Sequence, residues 1–402
     1  MKSESTIFKG KAFIVVGLGY GDEGKGFATD YLCSNANNPL VIRYNGGHQA
    51  GHTVVTKNHE KHVFSNFGSG TLRKAPTFWS QYCTFSPTYF LEEYKTLFVK
   101  PTVYLDKFCP VTTHYDVLYN RVIESFRGDS RYGSCGVGFG ATIERHKKEP
   151  LKLFVNELLN IKVVKEKLLK IKLYYKKKIN NETNFSFDQF NHDEEDIKFS
   201  NNIKIIHQLM AEKIINLTPE NEIFLGNHSW NTYIFEGAQG VLLDKNFGNQ
   251  PYITKSNTTS KNALEILERN FTSQSIETEI YYVTRAYLTR HGAGPFSEHA
   301  PAIKLRNVES ETNIYNFYQG DFKVGYLNID LLNYSLQCDQ KFSNGIKKNL
   351  IVTCLDHLTT DKLPVYHNGR VKYIDKNDLP ILLNCKFNNC KYSYSSCSED
   401  LK

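Results

Sequence analysis

The sequence predicts an α/β fold, a large central, mainly parallel sheet flanked by helices, with a helical insertion in mid-chain. Strand-like apolar segments recur at 12–16, 39–43, 102–105, 233–236, 280–284 and 350–354, with helical patterns between several of them. Alternation of this kind covers both faces of a parallel sheet. Gly-rich loops follow these segments at 17–26, 44–53, 237–240 and 291–296. In open parallel sheets a ligand sits beyond the carboxyl ends of the strands, so the loops are expected to converge on one site. A chain of 402 residues is long enough to bury a large core.

The first element is the run Ala12-Phe13-Ile14-Val15-Val16, which leads into Gly17-Leu-Gly-Tyr-Gly-Asp-Glu-Gly-Lys-Gly26. This reads as a buried strand entering a phosphate-binding turn. Glycines such as Gly21 and Gly24 let backbone N–H groups approach an anion, and Lys25 adds a point charge. The form G-x-x-x-x-G-K makes the fold P-loop NTPase-like, but Gly26 stands where Ser or Thr normally holds magnesium. Asp22 would repel a phosphate, so it needs another role, either metal ligand or general base.

The second strand, 39–43, feeds Arg43-Tyr-Asn-Gly-Gly-His48-Gln49-Ala-Gly-His52-Thr53. The glycines argue against zinc, which wants a third ligand and usually a helix. Either both imidazoles cap and pack, or His52 serves as a general acid beside a phosphoryl group. Arg131-Tyr-Gly-Ser134-Cys135-Gly-Val-Gly-Phe-Gly140 is a further candidate anion-binding turn, followed by Glu144-Arg145-His-Lys-Lys148.

Residues 151–218 form a Lys- and Asn-rich subregion, read as a helix over about 155–175, a solvated loop, and a helix over about 201–216. The run Lys176-Lys177-Lys178 reads as a solvated face. After the fourth strand, Gln239 sits in Phe235-Glu236-Gly-Ala-Gln239-Gly240. Its amide can read a heterocyclic base or merely close the turn. Hydroxyls and amides over Thr254 to Thr259 can bind a sugar or phosphate, or cap helices. The chain is expected to be one domain over 1–402, with a poorly ordered tail at 385–402.

Net charge is +7, from 49 basic and 42 acidic residues, which suits anionic small molecules and does not imply nucleic acid. Nine scattered cysteines without C-x-x-C pairs favour reduced thiols. There is no apolar run of membrane length, so no membrane partner is expected and a cytoplasmic location is.

Taken together, Gly21-Asp-Glu-Gly-Lys-Gly26, Gly46-Gly-His-Gln-Ala-Gly-His-Thr53, Phe235-Glu-Gly-Ala-Gln-Gly240, Ser256-Asn-Thr-Thr259 and Gly292-Ala-Gly-Pro-Phe296 resemble the adenylosuccinate synthetase family in order and spacing. The resemblance runs from about residue 12 to about 358. It implies a GTP-dependent ligase that phosphorylates the 6-oxygen of IMP and displaces phosphate with aspartate. By the resemblance, Asp22 matches the base and a Mg²⁺ ligand, His52 the acid, and Lys25 the phosphate cradle. Gly21, Glu23, Gly24, Gly26, Gly51 and Thr53 match its GTP and phosphate contacts, with Gly51 also offering a carbonyl to Mg²⁺. Asp356 matches the carboxylate that reads guanine. Gln49, Ser134, Cys135, Arg145, Gln239 and Thr254 match the purine-nucleotide site. Family members are homodimers in which an arginine crosses to the other subunit; Arg145, Lys147 or Lys148 is the candidate.

The chain also departs from the family pattern. Gln49 replaces an Asn, Ser134-Cys135 replaces Thr-Thr, and Cys354 replaces a lysine. The closing Gly-Pro-Asp-Arg-Thr element has no clear counterpart. The multi-arginine loop that clamps aspartate is here Asn313-Ile-Tyr-Asn-Phe-Tyr-Gln319-Gly-Asp-Phe-Lys323, leaving Gln319 and Lys323, with Arg290 or Arg306, as candidate contacts. Lysine does not reproduce bidentate arginine geometry. Another purine nucleotide or another amine, or a nucleotide-binding sensor without catalysis, are the alternatives.

Overall fold

The computed structural model describes residues 10–402 apart from 227, 229, 273–274, 297–302, 307–310, 312 and 314. Ile314, inside the loop read as the amino-acid site, lies outside the described residues. Among the described residues nine strands form one sheet. From one edge they are Asn389–Tyr392, Lys347–Thr353, Ile276–Arg285, Gly10–Gly17, Thr232–Gly240, Pro39–Arg43, Thr77–Trp79, Val103–Leu105 and Ile215–Leu217. Every neighbouring pair in this sheet is parallel. Ile14, Val15 and Val16 have no exposed surface, as expected of a central strand covered on both faces.

The register gathers the strand ends at one edge of the sheet. Gly17 pairs with Gly240, Arg43 with Glu236, and Thr353 with Arg285. Each of these residues opens or adjoins a Gly-rich or irregular loop, so the loops do converge. All six strands expected from sequence are present. The three strands of this sheet that were not foreseen are three or four residues long, too short to display a period.

The tail at 385–402, expected to be poorly ordered, is instead built into the fold. Asn389–Tyr392 is the sheet's edge strand, and Leu401 is buried. Ser398 Oγ donates to Asp30, and Arg73 bridges Asp30 and Glu399 at 2.7 and 3.1 Å. Polar composition misled here because the segment satisfies its polar groups on helix Lys25–Ser34 rather than in water.

In the helical subregion the helices are Ile161–Glu182 and His192–Ala211. The first starts later than expected because Asn160 caps it, accepting from Lys162 and Val163 N–H at 3.1 and 3.4 Å. It continues through the lysine run, with Lys178 paired to Glu182 one turn on at 2.8 Å. The nine cysteines are all unpaired thiols.

Arg145, a candidate for the purine site and the subunit interface, is a structural residue. Its side chain has no exposed surface and its guanidinium bonds both oxygens of Asp116 at 2.8 and 3.0 Å. It also donates to the carbonyls of Val111 and Leu151. With its donors held this way, it has no reach toward another subunit. Breaking such a pair strands a buried carboxylate, so Arg145→Met is expected to lose about 3–5 kcal/mol in urea denaturation.

Candidate active site

Two connected cavities lie at the carboxyl edge of the sheet. The inner one, about 310 Å³, is lined by Tyr20–Asp22 and Gly24–Gly26 of the turn, by Gln49–Thr53, and by Gln239, Leu243, Arg285, His291, Asn313 and Gln319. The outer one, about 510 Å³, is lined among others by Gln49, Asn120, Ser134, Cys135, Gln239, Thr254, Arg290, His291 and Gln319. Gln49, Gln239, Leu243, His291 and Gln319 belong to both and form the neck. The loops are locked to each other by Asn45, which donates to Ala238 O and accepts from Ala238 N–H at 2.9 and 2.8 Å.

The neck is polar and unsatisfied. Gln49 Oε1 and Nε2, Gln239 Oε1 and His291 Nε2 are buried without a hydrogen-bond partner among the described residues. Orphaned buried amides are costly, so their clustering in a cavity marks a place for a hydrogen-bonding ligand. A planar heterocycle with donors and acceptors on its edge fits that demand.

In the phosphate turn the structure corrects one expectation. Glu23 does not face the cavity. Its carboxylate folds back to accept from Gly19 and Gly21 N–H, both at 2.9 Å, and pairs with Lys25 Nζ. The fold leaves room for it because Gly17 and Gly240 lack a Cβ, which would stand 2.3 Å from its oxygens. The N–H groups left for an anion are those of the first turn of helix Lys25–Ser34, which make no intrahelical bond.

Asp22 stands in this turn with φ 62°, a left-handed conformation costing about 1–2 kcal/mol for a non-glycine residue. Arg285 Nε donates to its carbonyl and Thr353 Oγ1 to the next carbonyl, at 2.7 Å in the second case. Burial raises the Asp22 carboxyl above its ordinary 3.8, with Arg285 and Lys25 holding it back. A carboxylate of raised basicity suits proton abstraction.

His52 opens the short strand His52–Val55, and its Nδ1 lies 2.7 Å from Glu236 Oε1. Glu236 is fully buried and also accepts from Ser69 N–H and Oγ. His52, Arg43 and Ser69 hold the Glu236 carboxyl below its usual range against the cost of burial. An ionised Glu236 accepts a hydrogen bond from Nδ1–H, which fixes the tautomer and leaves Nε2 for the cavity. Burial lowers the affinity of His52 for a second proton, with Glu236 opposing. His48 does not join it: Nε2 bonds Val137 O at 2.9 Å and the ring stacks on Tyr89.

Gly26 explains the missing magnesium hydroxyl. A Cβ there would sit 2.7 Å from His52 Cβ and 3.0 Å from Ser69 Oγ. Gly26→Ser is therefore expected to displace His52 and lower kcat about tenfold or more, given how steeply rate falls with ångström misplacement. Wild-type kcat in that variant would contradict the packing argument.

In the outer cavity Ser134 Oγ donates to Asn120 Oδ1 at 2.9 Å, so its hydroxyl proton is already used. Burial pushes the Cys135 thiol up to about 11, leaving it neutral. Lys148 and Lys178 also line this cavity, so one lysine of the run read as a solvated face, Lys178, turns inward. Lys323 does not line either cavity; it pairs across strands with Arg290. Arg290 is spent on the carbonyls of Ala293, Pro295 and Tyr252. Exposed Arg306 donates to Asp356 O at 3.0 Å. Asp356 sits outside both cavities, just past strand Lys347–Thr353. Burial raises the Cys354 thiol pKa and Arg285 opposes it, so a cation does stand beside that position.

Glu236, Arg285 and His291 were not foreseen as site residues. Each ends a strand or opens a Gly-rich loop, and that placement was the available signal. An acid in an apolar strand, as Glu236 is, was the clearest of the three.

The profile of the adenylosuccinate synthetase family matches residues 14–398. An adenylosuccinate synthetase of Thermoplasma volcanium is 30% identical over 367 residues, covering 90% of this chain and 78% of the relative. One from Psychromonas ingrahamii is 32% identical over 293 residues, covering 71% of this chain and 64% of the relative. The match thus spans just under two thirds of the latter's length. The fold is similar to that of a fully ligated adenylosuccinate synthetase from Plasmodium falciparum, with TM-score 0.76 and 18% identity over 98% of this chain and 99% of that one. It is also similar to a cyanophage S-2L succinoaminodeoxyadenylate synthetase (PurZ) bound to dGMP and dATP as an energy donor, with TM-score 0.67 and 13% identity over 98% and 95% of the two chains. By sequence profile, by identity to relatives and by fold, this chain belongs to the adenylosuccinate synthetase family.

Proposed function

We propose that the protein is a GTP-dependent carbon–nitrogen ligase that phosphorylates the 6-oxygen of IMP and replaces the phosphate with aspartate, giving adenylosuccinate. The observation that carries this reading is that Asp22, Lys25 and His52 line one cavity whose neck is built from unsatisfied amides. Binding alone needs neither a base of raised pKa nor a carboxylate-oriented histidine.

In this reading the purine edge sits at Gln49 and Gln239, and Asp22 takes the proton from N1, which makes the 6-oxygen nucleophilic. Lys25 and the first-turn N–H groups of helix Lys25–Ser34 hold the triphosphate. His52 Nε2 meets charge developing on the transferring phosphoryl group. Positioning and charge neutralisation then supply most of the rate. Of the residues present, Asp22 and the Gly51 carbonyl line the inner cavity and fit Mg²⁺, which takes one or two carboxylates with the rest from phosphates and water. No cluster of three or more acidic, His or Cys ligands occurs among the described residues, in keeping with a metal held jointly with substrate. When bound, the ion neutralises phosphate charge.

A cytoplasmic homodimer belongs to the same reading. No described helix is long and apolar enough to cross a membrane. With Arg145 committed to Asp116, Lys148 at the outer cavity is the better candidate for a cross-subunit contact.

A second reading keeps the two steps but changes the amine. It is favoured by the sequence of 307–322, which contains no Lys or Arg, and by Arg290, which is spent on carbonyls. One experiment covers both readings. Purified protein receives GTP, Mg²⁺, IMP and aspartate, and adenylosuccinate is followed by absorbance. Product formation is expected. Phosphate release only with another amine would shift the proposal to the second reading, and no release with any amine would sink both.

A further inference from the structure

A chain of hydrogen bonds runs from the catalytic turn to His357, the neighbour in sequence of Asp356. Arg285, only 8% exposed, lines the inner cavity at the end of strand Ile276–Arg285. Its Nε donates to the Asp22 carbonyl, and one NH donates to Tyr287 Oη at 2.8 Å. Tyr287 Oη lies 2.8 Å from His357 Nδ1, and the two rings stack. His357 Nε2 stands 3.9 Å from Asp356 Oδ2.

The proton directions follow from the donors. Guanidinium only donates, so Tyr287 Oη accepts from Arg285 and gives its own proton to His357 Nδ1. His357, whose pKa burial lowers, is then the neutral Nε2–H tautomer, with that proton toward Asp356. Arg285 donates to both sides, to the Asp22 carbonyl and to Tyr287, so it is the branch point at which a shift of Tyr287 or His357 is felt by the turn. The turn it holds is strained at Asp22, where loss of one support changes the backbone most.

We propose that Arg285, Tyr287 and His357 are positioning residues that couple recognition of a purine base at Asp356 to the placement of Asp22. The inference rests on the ligase reading above, with Asp356 accepting from the guanine N1 and N2 donors. A triphosphate whose base satisfies Asp356 fixes the relay and, through Arg285, the carbonyl of Asp22. Base identity is then read in turnover as well as in binding.

The test uses GTP and ITP, which lacks the 2-amino group, with IMP as acceptor. In the wild type, kcat with GTP should exceed kcat with ITP by about fivefold or more, the low end of usual coupling energies, and KM should also be lower. Tyr287→Phe keeps the ring and removes the link. In that variant kcat with GTP should fall toward the ITP value, while the KM ratio persists. Arg285→Lys, which keeps the charge but not the two-pronged geometry, should behave likewise. Melting temperature checks that both variants fold. An unchanged kcat ratio in a folded Tyr287→Phe protein would overturn the relay and leave the ligase reading intact. Absence of phosphate release from the wild type with either triphosphate would remove both.

Discussion

Asp22→Asn should lower kcat by at least ~10²-fold while the protein stays folded and still binds nucleotide. Asparagine has the same shape, tolerates the left-handed backbone at φ 62°, and keeps the carbonyl that Arg285 and the turn require. Only the basic oxygen is lost. Because burial already disfavours the charged form of Asp22, removing its charge should not lower the melting temperature. The pH dependence has a definite sign. A base must be deprotonated to act, so activity is lost as pH falls through the Asp22 pKa. That acid limb in kcat/KM should lie above the ordinary carboxylate value of 3.8 and be absent from the residual activity of Asp22→Asn. Near-normal kcat in the variant would remove the general-base role.

His52→Ala should cost kcat a similar ~10²-fold or more, the size of a lost acid–base contribution. Glu236→Gln separates positioning from chemistry. It keeps a partner 2.7 Å from Nδ1 but removes the charge that raises the imidazole pKa. The acid form must be protonated at Nε2, so activity is lost as pH rises through the His52 pKa in the substrate complex. Glu236→Gln lowers that pKa, so its basic limb should move to lower pH, with kcat recovering at mildly acidic pH. A basic limb at the wild-type position would show that Glu236 only packs.

Much of this was legible in the sequence, for physical reasons that differ by segment. Strands such as 12–16 and 350–354 are buried on both faces and therefore read as apolar runs. The Gly-rich turns are legible because φ above zero at Gly21 and Gly24 demands glycine. Asp22 stood out because an acid among phosphate-binding amides needs a role, whereas His52 could be told from a packing residue such as His48 only by its partners. The rest depends on side-chain contacts that the sequence does not display. Glu23 looks like a phosphate ligand until Gly19 and Gly21 are seen to donate to it. Arg145 looks like a mobile cation until Asp116, 29 residues away, claims both arms of its guanidinium. The tail was read as loose because its burial is set by Asp30 and Arg73 at the other end of the chain. The wall around Gln319, His291 and Arg285 is set by the fold alone, which leaves His291 Nε2 buried without a partner among the described residues.

The most direct measurement follows the 6-oxygen itself. IMP carrying ¹⁸O at C6 is turned over with GTP and Mg²⁺ and the amine that supports reaction, and the released phosphate is analysed by mass. If Asp22 makes that oxygen the nucleophile and the amine then displaces it, the phosphate carries one ¹⁸O and the nucleotide product none. Unlabelled phosphate with label retained on the nucleotide would contradict the two-step chemistry and reduce the cavity to a site of GTP hydrolysis.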